Sequence, residues 1–173
     1  KATNETPTYF REQLLRTYTY KGPDIEWYCR IKTSLENNYQ LFESLIPKAG
    51  KIVDIGCGYG FLPYILLFKS KQREILGIDY DEEKIAVANN CVDKSLQLSF
   101  EVGDVTTYNF PKADGFIISD VLHYLKEEQQ IIQKTLNVIL AKMKYYIFKY
   151  INIIEQSHKL RSLLCEVLFR KIG

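Results

Sequence analysis

An excess of one charge, paired cysteines and a long apolar run are all missing from this sequence. Lys and Arg number 23 against 21 Asp and Glu, a net charge of +2, so no strong overall field attracts nucleic acid or anionic lipid. The four cysteines form no C-x-x-C pair, which argues against a zinc site or disulfides and indicates reduced thiols. No run could span a membrane, and the first seven residues lack the apolar stretch of a signal peptide. We therefore expect a soluble, cytoplasmic domain with no metal, no transmembrane segment and no nucleic-acid partner.

The spacing of apolar residues predicts an N-terminal extension followed by a single α/β core. A chain of 173 residues suits one domain, which we divide into a helical extension or lid over 1–48 and a core over 49–173. The extension contains a short helix near 9–20 and one long amphipathic helix from Pro23 that ends before Pro47. In the core, strand and helix patterns alternate, which predicts a mostly parallel sheet covered by helices. The predicted strands are 51–55, 74–79, 98–102, 114–119 and 145–150, and the predicted helices are 61–69, 82–94, 127–140 and 154–169. Asp81 is the expected N-cap of the second core helix.

The segment from Lys51 to Gly60 is the most informative stretch of the chain. An apolar run ends in a carboxylate and is followed by glycines at 56, 58 and 60, which predicts a strand, a tight turn and a helix. Glycines in such a turn let a nucleotide-like ligand approach the backbone. The dinucleotide fingerprint G-x-G-x-x-G would need glycine at 61, where this chain has Phe61. An NAD(P)- or flavin-binding domain and a purely structural turn are the alternatives.

This pattern resembles the first motif of the class I S-adenosylmethionine-dependent methyltransferases, in which an acidic strand end precedes G-x-G-x-G. The residues that match are Asp54, Gly56, Cys57, Gly58 and Gly60. The resemblance implies a three-layer α/β/α Rossmann-like fold, S-adenosylmethionine as the cofactor, and methyl transfer as the reaction. A domain that binds this cofactor without catalysis, as a regulatory part of a larger protein, is a second reading. An NAD(P)-dependent oxidoreductase domain is a third.

Three carboxylates at predicted strand ends are candidate contacts to the cofactor. Asp54 can accept a hydrogen bond from the ammonium of the methionine moiety, or it only caps the loop. Asp79 lies 25 residues later, a spacing that suits an acidic residue bonded to the ribose hydroxyls. By resemblance to the family, Tyr80 lies along the adenine, or it only packs. The resemblance also implies that Asp104 receives the adenine amino group while the Val105 backbone meets a ring nitrogen, although Asp104 alternatively serves only the turn.

The segment 118–125 resembles the part of the family that passes the methyl donor and faces the acceptor. The resemblance places Ser119 and Asp120 at the donor, and His123 and Tyr124 at the acceptor. His123 is the candidate catalytic base for an acceptor that must lose a proton, because the unperturbed pKa of histidine lies near neutrality. A packed or substrate-contacting histidine explains this position equally well.

The acceptor and the two ends of the chain are less sharply defined. No Asn-Pro-Pro-Tyr motif for amide or base-amine acceptors is present, so we expect a small molecule or a lipid. The lipid is suggested by 20–28, which is similar to methyltransferase domains fused to bacterial glycerolipid acyltransferases. By resemblance to the family, aromatic residues of this region either close over donor and acceptor or only pack. The family usually ends in an antiparallel hairpin, and here we expect the C-terminal strands to be missing, which would expose strand 145–150 and favour truncation or a homodimer. Because residue 1 is not Met, fusion to a larger polypeptide is also expected.

Overall fold

The computed structural model describes residues 7–35, 38–91, 93–119, 121, 145–149 and 170–171, and these form an α/β fold around one sheet. The strand order is β3-β2-β1-β4-β5-β6. Strands β1 to β5 pair in parallel, and β6 pairs antiparallel to β5. The strands are β1 (Gly50–Ile55), β2 (Arg73–Asp79), β3 (Leu98–Val102), β4 (Gly115–Ser119), β5 (Tyr145–Lys149) and β6 (Arg170–Lys171). The predicted fold class and central parallel sheet are confirmed, and all five predicted strands lie within one residue of the observed bounds.

The described helices cover one face of the sheet. They are α1 (Pro7–Tyr18), α2 (Pro23–Leu35), α3 (Asn38–Leu45), α4 (Phe61–Lys69) and α5 (Glu82–Asn89), with a 3-10 turn at Thr19–Lys21. Each of them contributes buried side chains to the cluster that contains Ile52, Ile75 and Ile117 of the sheet. The opposite face carries Val53 and Ile55 in a second apolar cluster. Apolar residues on both faces are typical of a parallel sheet. The helices predicted at 127–140 and 154–169 lie outside the described residues.

One predicted helix is described in two parts, and another ends earlier than predicted. The helix predicted from Pro23 to before Pro47 corresponds to α2 and α3, and residues 36–37 between them lie outside the described residues. The helix predicted over 82–94 ends at Asn89, because the Asn90 N–H donates to the Val87 carbonyl at 3.1 Å and tightens the last turn. Its beginning agrees with the prediction, since Asp81 accepts from the Lys84 N–H as an N-cap.

A buried arginine joins α3, α4 and β2. Arg73 is fully buried, and its guanidinium donates to the carbonyl oxygens of Pro47 at 2.8 Å and Leu66 at 2.8 Å. It also lies 3.3 Å from the Glu43 carboxylate. The Leu66 carbonyl also accepts from the Ser70 N–H at 3.1 Å, so the arginine adds a second donor near the end of α4. Arg73 therefore joins the C-terminal parts of α3 and α4 to the first residue of β2, at the other end of the strand from Asp79.

The C-terminal part of the described chain contains a short antiparallel strand. Arg170 and Lys171 form β6 and lie opposite Tyr146 and Tyr145 of β5. The expectation that the C-terminal strands are missing is thus corrected to this extent: one antiparallel strand of two residues covers the first part of the β5 edge. Among the described helices, none is long and apolar enough to cross a membrane.

Candidate functional site

The carboxyl ends of three adjacent strands bring Asp54, Asp79 and Ser119 to one place. Ile55 lies opposite Ile78 of β2 and Ile118 of β4, so Asp79 and Ser119 are each one residue further along, level with Gly56. Neighbouring strands are about 4.8 Å apart, and side chains at matching positions of parallel strands share a face. The three polar side chains consequently project from the helix-covered face. Ligands of open α/β sheets bind at such carboxyl ends, where the strand order reverses around β1.

The turn after β1 is held in place by the end of β2. The N–H groups of Gly56 and Cys57 donate to the Ile78 carbonyl at 2.7 and 3.1 Å. The Gly58 N–H donates to Asp79 Oδ2 at 2.7 Å. The backbone of Gly58 has a φ of 55°, in the left-handed region that other residues adopt only at a cost. The two strand ends thereby shape the turn into a fixed cradle.

Gly56 and Gly58 serve different purposes in this cradle. A Cβ at Gly56 would lie 2.0 Å from Val121 Cγ2, so this glycine leaves room for the Val121 side chain. A Cβ at Gly58 would meet nothing within 4 Å, and the residue borders a cleft of about 260 Å³. The space that a side chain at position 58 would fill is therefore open to a ligand in the cleft.

Seven of the predicted site residues line this cleft. They are Asp54, Gly56, Cys57, Gly58, Asp79, Tyr80 and Ser119. Gly60 lies next to it as the N-cap of α4, with a φ of 82°. Tyr80 is 71% exposed, so one face of its ring is open to a ligand or to solvent. Most of the site residues that were predicted at strand ends therefore lie around one cleft.

The two aspartates of the cleft have different surroundings. Asp54 is buried, and burial together with the nearby Asp79 raises its pKa to about 8, against the opposing effect of Lys32. Asp79 is stabilised by backbone donors, because Oδ2 accepts from Gly58 and Oδ1 accepts from Asp81 at 3.0 Å. Burial and both carboxylates raise the pKa of the Cys57 thiol, so it stays protonated near neutral pH. The cleft favours a ligand that brings positive charge to Asp54 and hydroxyl donors to Asp79.

Two of the predicted adenine contacts, Asp104 and Val105, lie apart from the cleft lining. Asp104 is exposed, and its Oδ1 accepts from the Thr106 N–H at 2.8 Å and the Thr106 hydroxyl at 2.7 Å. These two bonds lower the pKa of Asp104 and close a local turn, the alternative reading of this residue. Val105 packs against the second apolar cluster. A contact of either residue with adenine stays a prediction. Asp120, His123 and Tyr124 lie outside the described residues.

The helices of the N-terminal extension complete the wall of the cleft. Tyr28 of α2 lies 5.6 Å from the ring of Tyr59 and 5.9 Å from that of Phe61, at the start of α4. Tyr18 of α1 packs edge-on against Phe61 at 4.8 Å, and its hydroxyl donates to the Tyr59 carbonyl. These contacts set α1 and α2 beside the glycine turn. As a result α2 and α3 contribute four cleft residues, namely Tyr28, Lys32, Tyr39 and Phe42. Of these, only Tyr28 lies in the segment 20–28, for which a role beside donor and acceptor was predicted.

Sequence reasoning also missed Lys84. This residue of α5 lines the cleft, and its ammonium lies 2.9 Å from Asp81 Oδ2. An N-cap aspartate three residues before a lysine could have suggested the ion pair. Nothing local in the sequence indicates that the pair stands beside the glycine turn, because its position depends on how α5 packs on the sheet.

A comparison with protein families finds one that fits this architecture. The family model described as a methyltransferase domain matches residues 46–171. This range includes the whole sheet, the glycine turn and both buried aspartates. No curated protein matches the chain.

Solved structures with a similar fold include several methyltransferases. An S-adenosylmethionine-dependent methyltransferase from Mesorhizobium loti has 19% identity and a TM-score of 0.54, covering 64% of this chain and 51% of that one. PKMT2 from Rickettsia typhi, in complex with AdoHcy, has 17% identity and a TM-score of 0.55, covering 68% and 25%. CalO1, a methyltransferase in calicheamicin biosynthesis in its SAH-bound form, has 13% identity and a TM-score of 0.58, covering 92% and 55%. The likeness shows the fold, and the chain spans about half of the first of these proteins.

Proposed function

The chain belongs to the methyltransferase-domain family of class I, S-adenosylmethionine-dependent type, and from that premise we propose that it methylates a small-molecule or lipid acceptor. The observation that carries the proposal is the position of Gly58 beside Asp79, in a cleft that both buried aspartates line. Its left-handed backbone, the open space at its Cα and its bond to Asp79 form a cradle suited to a nucleoside. A purely structural turn would not require open space at that position.

The residues present fit the donor, S-adenosylmethionine. Each Asp79 oxygen already accepts one backbone N–H and keeps capacity for a second donor, so the carboxylate can accept from two adjacent ribose hydroxyls. Asp54 can accept from the ammonium of the methionine end. The exposed ring of Tyr80 can lie against the adenine. These assignments, together with those of Cys57 and Ser119 as cleft-lining contacts, form part of the proposal.

When bound, the donor would supply a methyl carbon activated by sulfonium, to which an acceptor nucleophile would bond in line while the carbon–sulfur bond breaks and leaves its electron pair on sulfur. The protein then has to align the two reactants and exclude water. Asp79 would hold the ribose and Asp54 the methionine end of the donor. Aromatic side chains of α2 and α3 also line the cleft. Proton removal from the acceptor by His123, with Tyr124 beside it, completes the proposal.

The first test is calorimetric titration with S-adenosylmethionine, S-adenosylhomocysteine and NAD. We expect micromolar binding of the first two and none of NAD. Binding of NAD alone would contradict the proposal and favour the oxidoreductase reading. That reading is weakened by Phe61, which is buried where the dinucleotide fingerprint has its third glycine.

A second test addresses turnover and the class of acceptor. Formation of S-adenosylhomocysteine is measured with phospholipid vesicles in one arm and with a small-molecule extract in the other. Turnover in one arm identifies the acceptor class. Tight donor binding without turnover in either arm would instead favour the regulatory reading. Four other expectations stay predictions. They are a homodimer, fusion to a larger polypeptide, the division of the chain at residue 48, and a cytoplasmic location. Sedimentation analysis can check the homodimer.

A further inference from the structure

A lysine of the N-terminal extension faces the cleft beside Asp54. Lys32 follows Tyr28 by four residues, so the two share one face of α2, and both line the cleft. The ring contacts of Tyr28 with Tyr59 and Phe61 fix which face of the helix turns towards the glycine turn. The fully buried Cys29 anchors the adjacent face of the helix. The packing of α2 therefore places Lys32 at the cleft.

Lys32 and Asp54 form a pair of opposite charges within the cleft. Both side chains line the same cleft, and the charge of Lys32 opposes the rise in the pKa of Asp54 that burial and Asp79 cause. Lys32 is half-buried, so solvent screens its charge less than that of a surface lysine. The second cation among the described cleft residues, Lys84, belongs to the start of α5, where it lies beside Asp81 and acts on Asp79. Of these two lysines, Lys32 is the one whose charge acts on the buried Asp54 carboxylate.

We infer that Lys32 binds the α-carboxylate of the donor's methionine end while Asp54 accepts from its ammonium. The inference rests on the proposed function and adds to it a residue from outside the core. An amino-acid end is a zwitterion, and a carboxylate placed near Asp54 without a cation would be repelled and poorly solvated. A lysine supplies that cation as a point charge with three donors. Lys32 thereby selects nucleosides that carry an amino-acid end over those that lack one.

Two ligands that differ in that end provide the test. S-adenosylhomocysteine has the zwitterion, whereas 5′-methylthioadenosine keeps the adenosine and the thioether without it. In Lys32→Met we expect calorimetry to show an affinity for S-adenosylhomocysteine that is about 10- to 100-fold lower, with an unchanged affinity for 5′-methylthioadenosine. Lys32→Arg should restore most of the loss. Lys21→Met removes an exposed lysine of the same extension, outside the cleft lining, and should bind both ligands like the unaltered protein.

Three results would overturn the inference. Equal affinity of Lys32→Met for S-adenosylhomocysteine would show that Lys32 does not hold the carboxylate, and the proposed function would stand. An equal loss for both ligands would indicate damage to the cleft instead of a lost contact. Failure of the unaltered protein to bind either nucleoside would remove the proposed function and this inference together.

Discussion

Replacing Gly58 by alanine separates the role of the glycine turn in folding from its role in binding. The backbone there has a φ of 55°, where an L-residue costs about 1 to 2 kcal/mol, and the new methyl meets nothing within 4 Å. We therefore expect the free energy of unfolding to fall by about 1 to 2 kcal/mol. The methyl would stand in the cleft, where it obstructs the ligand. Overpacking of this kind costs about 1 to 3 kcal/mol, so the affinity for S-adenosylhomocysteine should fall about 10- to 100-fold.

Urea denaturation and calorimetry measure the two effects on the same samples. Gly22→Ala is a matched control, because Gly22 has a φ of 94° and equally open surroundings but does not line the cleft. It should lose at least as much stability without loss of affinity. If Gly58→Ala binds S-adenosylhomocysteine as tightly as the unaltered protein, the ligand does not approach the turn and the reasoning is refuted.

Three further predictions concern charged residues. Asp79→Asn should weaken binding of S-adenosylhomocysteine about 10- to 100-fold in calorimetry through lost charge-assisted hydrogen bonds, whereas Glu82→Gln, an exposed control, should not; equal effects would refute the ribose assignment. Asp54 must be ionised to hold the ammonium, and its pKa in the free protein is about 8. The affinity for S-adenosylhomocysteine should therefore rise from pH 6 to 8 by at most about tenfold per pH unit. Asp54→Asn should remove this pH dependence. Over the same rise the free protein should lose stability, since its folded state keeps a proton that the unfolded carboxyl has already released; a flat profile would contradict the raised pKa. Arg73→Met should lower the free energy of unfolding by about 1 to 3 kcal/mol, because it removes the buried donor to the Pro47 carbonyl, whereas the Glu43 carboxylate keeps its ion pair with Lys48. An unchanged free energy of unfolding would show that the packing adapts.

The order of the core elements could be predicted because their patterns are local. Strand β1 and helix α4 follow directly from an apolar run, three alternate glycines and a second apolar run, and both lie where these patterns predict them. The helix ends were less predictable. An i−3 bond of Asn90 ends α5 before the predicted position. Whether a helix ends or continues at an asparagine depends on small differences in free energy between the two conformations.

By itself the sequence determined the sheet, the glycine turn and the meeting of Asp54, Asp79 and Ser119, because parallel strands bring their carboxyl ends to one edge wherever the chain runs between them. Only the tertiary structure decided which helical residues face that edge. The positions of Lys32 and Tyr28 depend on ring contacts with Tyr59 and Phe61, about 30 residues away along the chain. The raised pKa of Asp54 likewise exists only after folding, because burial and a neighbouring carboxylate are properties of the packed chain and not of the residue.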